Sequence, residues 1–72
     1  PTNHDIFRIM ASLVKMYVAY FGEIPACKML RGRLSWFVKG MPGCSAFRAN
    51  LSKIESKKDA LNLIKEFEKG LT

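Results

Sequence analysis

Apolar residues recur at three- and four-residue steps through almost the whole chain, and glycine or proline breaks the rhythm at Gly22, at Gly40-Met41-Pro42-Gly43 and at Gly70. Such a pattern predicts short helices and offers no strand, since strand side chains alternate with a period of two. Helices of this length are marginal alone and gain their stability by packing an apolar face on one another. The expected fold is therefore all-α: a compact bundle of about four helices, one domain over residues 1–72.

In the first segment Asn3 is placed to cap the helix and Asp5 to meet its positive end. Ile6, Ile9, Met10, Leu13, Tyr17 and Tyr20 form the expected buried stripe, with Phe7, Val14, Val18 and Phe21 off it. Apolar over so much of its circumference, this helix calls for two neighbours and carries more apolar surface than four helices easily bury. Gly22 ends it.

The second helix is expected from Pro25, tolerated in a first turn, to Gly40. Leu30, Leu34, Phe37 and Val38 fall on one side with Ala26 and Cys27, all read as core. Lys28, Arg31, Ser35 and Lys39 fall opposite, around Gly32, while Arg33 and Trp36 stand at the borders. Gly32 costs about 1 kcal/mol relative to Ala in a helix interior, and its bare backbone lets another chain approach closely. Beyond the glycine-proline turn, Phe47, Leu51 and Ile54 point inward from a short third helix with Ser45 as its cap. Ser56 and Asp59 open the last helix as a weak capping box, and Ala60, Ile64, Phe67 and Leu71 make its stripe.

The net charge is +6, and its placement is more informative than its size. Lys28, Arg31, Arg33, Lys39, Arg48 and Lys53 lie between Ile24 and Ile54 with no Asp or Glu among them, whereas the other cations are matched by acids. An acid-free block interleaved with aromatics is the footprint of a phosphate-contacting surface; a solvated face that keeps the domain soluble is the plainer alternative.

A stand-alone active site is not expected. His4 is the one histidine, no glycine-rich phosphate loop follows a strand, and Glu66 and Glu68 leave opposite sides of one helix as solvated acids. Cys27 and Cys44 have neither zinc spacing nor a disulfide framework, and are expected to be small buried or half-buried thiols in a reducing, cytoplasmic setting. No metal site and no membrane partner are expected, since no apolar run approaches the ~20 residues that cross a bilayer. There is no leader-like start, and the opening at Pro1 is read as that of a piece of a longer chain.

From the second helix onward the order of residues becomes specific. Phe21-Gly22-Glu23, then Arg31, Leu34, Trp36-Phe37, Lys39-Gly40 and Pro42-Gly43, then Phe47-Arg48, resembles the C-terminal helical domain of bacterial tRNA-dihydrouridine synthases, over roughly Tyr17 to Leu71. That family places an aromatic-Gly-Glu at a helix end, an Arg-Lys-His helix running into Trp-Tyr and a Lys-Gly-x-Pro-Gly turn, and an arginine one helical turn later. The chain departs from it in having Gly32 and Arg33 where Lys-His is usual. The resemblance implies a parent oxidoreductase with an N-terminal barrel that binds FMN, takes electrons from NADPH and reduces a D-loop uridine. The barrel, the flavin site and the catalytic cysteine would lie outside these residues, so neither Cys27 nor Cys44 is expected to be catalytic.

The implied partners are tRNA and the enzyme's own barrel, the isolated domain being monomeric. The expected RNA-binding residues are Lys28, Arg31, Arg33, Lys39 and Arg48. Arg33 has an alternative as the partner of a carboxylate such as Glu23. Trp36 is expected in the core or docked on the barrel in preference to stacking on a base. A stand-alone protein-interaction module and a helix-turn-helix DNA binder are the rival readings. The second is disfavoured because Pro25, Ala26 and Cys27 occupy the start of the would-be recognition helix.

Overall fold

The computed structural model describes residues 3–71. Four helices follow one another, α1 (Asn3–Phe21), α2 (Glu23–Phe37), α3 (Cys44–Leu51) and α4 (Lys57–Leu71), with no strand among the described residues. The expected all-α bundle is thus the architecture. Helix α1 packs on α2 and α4, α3 packs on the same two, and the α1 and α3 backbones stay apart. Phe67 of α4 bridges the gap. Its ring stands edge-on to Phe7 of α1 (5.6 Å, 89°) and tilted against Phe47 of α3 (4.7 Å, 35°), both favourable aromatic geometries. The Cα radius of gyration of 11.1 Å is close to the roughly 11 Å typical of a chain this long.

The core consists of Phe7, Met10 and Val14; Ala26, Cys27, Leu30, Leu34 and Val38; Phe47, Leu51 and Ile54; and Ala60 and Ile64. The second and last helices bury the stripes expected of them, with Phe37 and Phe67 half-buried at the edges. The side chain of Leu71 lies outside the described residues. Helix α1 is a correction in part, since Met10 of the expected stripe is buried and Ile6, Leu13 and Tyr17 are half-buried against the core. Its buried line is Phe7-Met10-Val14, whereas Ile9 and Tyr20 of the expected stripe are 48% and 80% exposed. The helix is rotated by roughly a quarter turn from the expected phase. With apolar residues on most of its circumference, amphipathicity could not fix that phase. The Phe7–Phe67 contact and the flanking positions of α2 and α4 do so.

Helix boundaries follow Gly22 and Gly43, whereas α2 stops before Gly40 and α4 runs through Gly70, which was expected to end it, to Leu71. Gly22 (φ 87°) both closes α1, through its N–H to the Val18 carbonyl at 3.0 Å, and begins α2, accepting from Ala26 N–H at 3.0 Å. Helix α2 therefore starts at Glu23, ahead of the expected Pro25. It ends at Phe37, short of Gly40, because the chain tightens into successive turns in which Lys39 N–H reaches Trp36 and Met41 N–H reaches Val38. Gly43, in the left-handed region (φ 79°), occupies the N-cap of α3, and Ser45, expected there, is already inside the helix. Helix α3 stops at Leu51, so Ile54 reaches the core from the connector. Asn3 is the first residue of α1; its side chain, and so the cap expected of it, lies outside the described residues.

The rotation of α1 is open to direct test. Phe7→Ala should cost about 3–5 kcal/mol, whereas Ile9→Ala should change stability by no more than about 0.5 kcal/mol. Urea unfolding of the two variants checks this, and equal losses would restore the original phase.

Candidate nucleic-acid interface

The connector between α3 and α4 is held by two charged side chains of α2. Arg31 Nη2 donates to the carbonyl of Ile54 at 2.9 Å, and Glu23 Oε2 accepts from Lys57 N–H at 3.1 Å. The second bond meets one of the orphan amides in the first turn of α4. Ser56 Oγ takes another, from Asp59 N–H at 3.1 Å, and Asp59 reaches back to Glu55 N–H at 3.2 Å. The expected capping box is present, shifted one residue on its return arm. Glu23 is thus occupied by α4, and the pairing considered for Arg33 with Glu23 is not made.

Arg31 accordingly has a structural task that its residue type did not reveal. It is half-buried, and its Nε is buried with no hydrogen-bond partner. One edge of its guanidinium is committed to the connector. From that position it also lines a groove between α2 and α3 with Gly32, Ser35, Ser45, Arg48 and Ser52. No acidic residue lines this groove. Two guanidinium groups and the hydroxyls of Ser35 and Ser45 offer donors to a phosphate, with the charge to attract one; the Ser52 hydroxyl already donates to the Ala49 carbonyl at 2.8 Å.

The remaining expected site residues are not gathered on the same face. Lys28 stands over a different groove, shared with Arg31 and flanked by Glu23 and Glu55, so the block that is acid-free in sequence is not acid-free in space at that end. Lys39 is exposed in the turn after α2. Arg33 lines a third groove, between α1 and α2, with Leu13, Tyr17, Gly32, Trp36 and Phe37. Trp36 is 73% exposed there, so of its two expected placements, in the core or docked on the barrel, the core is excluded. The Phe37 ring stands nearly perpendicular to the indole (5.7 Å, 83°). Sequence reasoning missed Ser45 and Ser52 as neighbours of Arg31, because only the α2–α3 packing brings them there.

Cys27 is buried, and desolvation pushes its thiol above the usual range, with the nearby Glu23 carboxylate adding to the effect. It is poorly suited to act as a nucleophile. Among the described residues no group of three His, Cys, Asp or Glu side chains is placed to hold a metal, and no helix is long and apolar enough to cross a membrane. Glu68, expected to be solvated, lies at the surface 3.1 Å from His4 Nδ1, an exposed contact between the start of α1 and the end of α4. No family model, curated protein or solved structure matches the chain.

Two measurements test this geometry. Glu23→Ala and Arg31→Met should each cost about 1 kcal/mol, and the double variant should lose less than the sum because both residues hold one connector. Strict additivity in urea unfolding would show that they act separately. At pH 8, iodoacetamide should modify Cys27 more slowly than the half-buried Cys44, and equal rates would contradict the burial of Cys27.

Proposed function

We propose that this chain is the tRNA-contacting helical domain of an FMN- and NADPH-dependent tRNA-dihydrouridine synthase, working in the cytoplasm. The observation that carries the reading is the α2–α3 groove, where Arg31, Arg48 and three serines converge without an acid. Folded RNA is recognised largely through its shape, phosphates and 2′-hydroxyls, and a rigid helical wall bearing guanidinium and hydroxyl groups suits that task. The motif residues agree with it. Arg31 holds the connector and the groove together, Arg48 faces the same groove, and the Lys39-Gly40-Met41-Pro42-Gly43 turn joins the two helices that form it.

The domain's part in the reaction is to hold tRNA so that a uridine reaches the flavin of the barrel. The grooves described here are open clefts on the bundle surface, which would not exclude water from a flavin. These residues are therefore assigned no FMN contact, and no step of the reduction is drawn through them. The barrel has a candidate footing on α1, where Ile9, Met16 and Tyr20 are all exposed on the side away from the core. An exposed apolar face of this kind is common where two domains meet.

Binding to unmodified tRNA across a salt series tests the reading. The protein should bind at low salt and weaken steeply as salt rises, through counterion release. An Arg33→Ala, Lys39→Ala, Arg48→Ala triple variant should bind less tightly and flatten the log–log salt slope by about 2–3 units. A Lys65→Ala variant on α4 should bind as the wild type does. Equal affinities and slopes for wild type and triple variant would overturn the proposal, and a clear preference for duplex DNA would favour a different nucleic acid.

A further inference from the structure

Gly32 is exposed and lines both the basic groove between α2 and α3 and the aromatic groove between α1 and α2. Nothing in the fold asks for glycine at this position. Its φ is not positive, and a Cβ built on it would meet no atom within 4 Å. An interior helical glycine is unfavourable relative to alanine, so its use here has no explanation within the bundle. What it does is lower the wall between the two grooves to the bare helix backbone, a cylinder of about 2.3 Å radius. Ser35, one turn on, keeps the wall low on the basic side, and Trp36 rises beside it on the aromatic side.

We propose that an RNA strand crosses α2 at Gly32, with a phosphate in the α2–α3 groove and the neighbouring base against Trp36 in the α1–α2 groove. The inference rests on the RNA-binding reading above and adds the path of the strand. Charge favours a nucleic acid over a protein segment as occupant of both clefts. Arg31 and Arg48 flank one, Arg33 flanks the other, and neither is lined by an acid. Trp36 is 73% exposed, and base-on-aromatic stacking beside a basic groove is a general way of holding an unpaired strand. Arg33 is near enough to share that groove and to meet the next phosphate.

Trp36 is the one tryptophan in the chain, so its emission reports on this groove alone. Titration with unmodified tRNA and with oligo(U) at low salt should quench it. Gly32→Leu should fold with unchanged or raised Tm, because leucine favours a helix and meets open space. It should nonetheless bind tRNA about 10-fold more weakly and lose the quenching. Gly32→Ala should raise Tm and weaken binding only a few-fold. Trp36→Ala should lose about 10-fold in affinity while keeping the salt slope, since stacking releases no counterions; Arg48→Ala should flatten that slope. Wild-type binding with no change in emission overturns the crossing and leaves the aromatic groove to a protein partner, with the RNA reading intact. So does a Gly32→Leu variant that binds as tightly as the wild type. Failure of the wild type to bind tRNA at low salt removes the underlying reading and the crossing together.

Discussion

The carbonyl of Ile54 lies beyond the end of α3, and the guanidinium of Arg31 reaches it from α2. With Glu23 on Lys57 N–H, that bond holds the segment between α3 and α4 at its middle and where it enters α4. The core contains no buried polar or charged residue among those described, so packing alone would leave the connector only loosely specified. Apolar contacts are non-directional, whereas two hydrogen bonds to named backbone atoms set a position. The entry of α4, and hence the placement of Phe67 between Phe7 and Phe47, follows from that anchorage.

This arrangement also explains why one helix can serve both fold and surface. Helix α2 turns Ala26, Cys27, Leu30 and Leu34 into the core and borders all three of the grooves that carry the expected cations. Arg31 sits at the seam, half-buried, with one edge on the connector and another along the basic groove. A lysine there would carry the charge without the planar fork that lets a single side chain span both. The glycines at 22, 40 and 43 adopt positive φ and make the tight exits that bring α1, α2 and α3 together in so short a chain.

The surface is divided by sign and by polarity. The α2–α3 side is basic and hydroxyl-rich, the groove around Lys28 is mixed, and α1 presents Ile9, Met16 and Tyr20 to solvent. Exposed apolar surface of this kind is common where two domains meet, and it is the footing proposed for the barrel. That face is separate from the charged groove, so the proposed protein and nucleic-acid contacts do not compete for one surface.

By itself, the sequence determined the number of helices, the turns between them and the inward faces of α2, α3 and α4. Glycine punctuation and a 3.6-residue period are local properties, and on those helices the apolar stripe is narrow enough to have one phase. It also determined the Ser56–Asp59 cap, whose partners lie within one turn. The tertiary structure decided the rest. It set the rotation of α1, whose broad apolar girth is compatible with several phases until Phe67 selects one. It gave Arg31 and Glu23 their roles through partners 23 and 34 residues away. It also spread Lys28, Arg31, Arg33 and Arg48 over three grooves and left Lys39 in the turn after α2, because residues that share a charge block in sequence share a surface only if the helix packing puts them there.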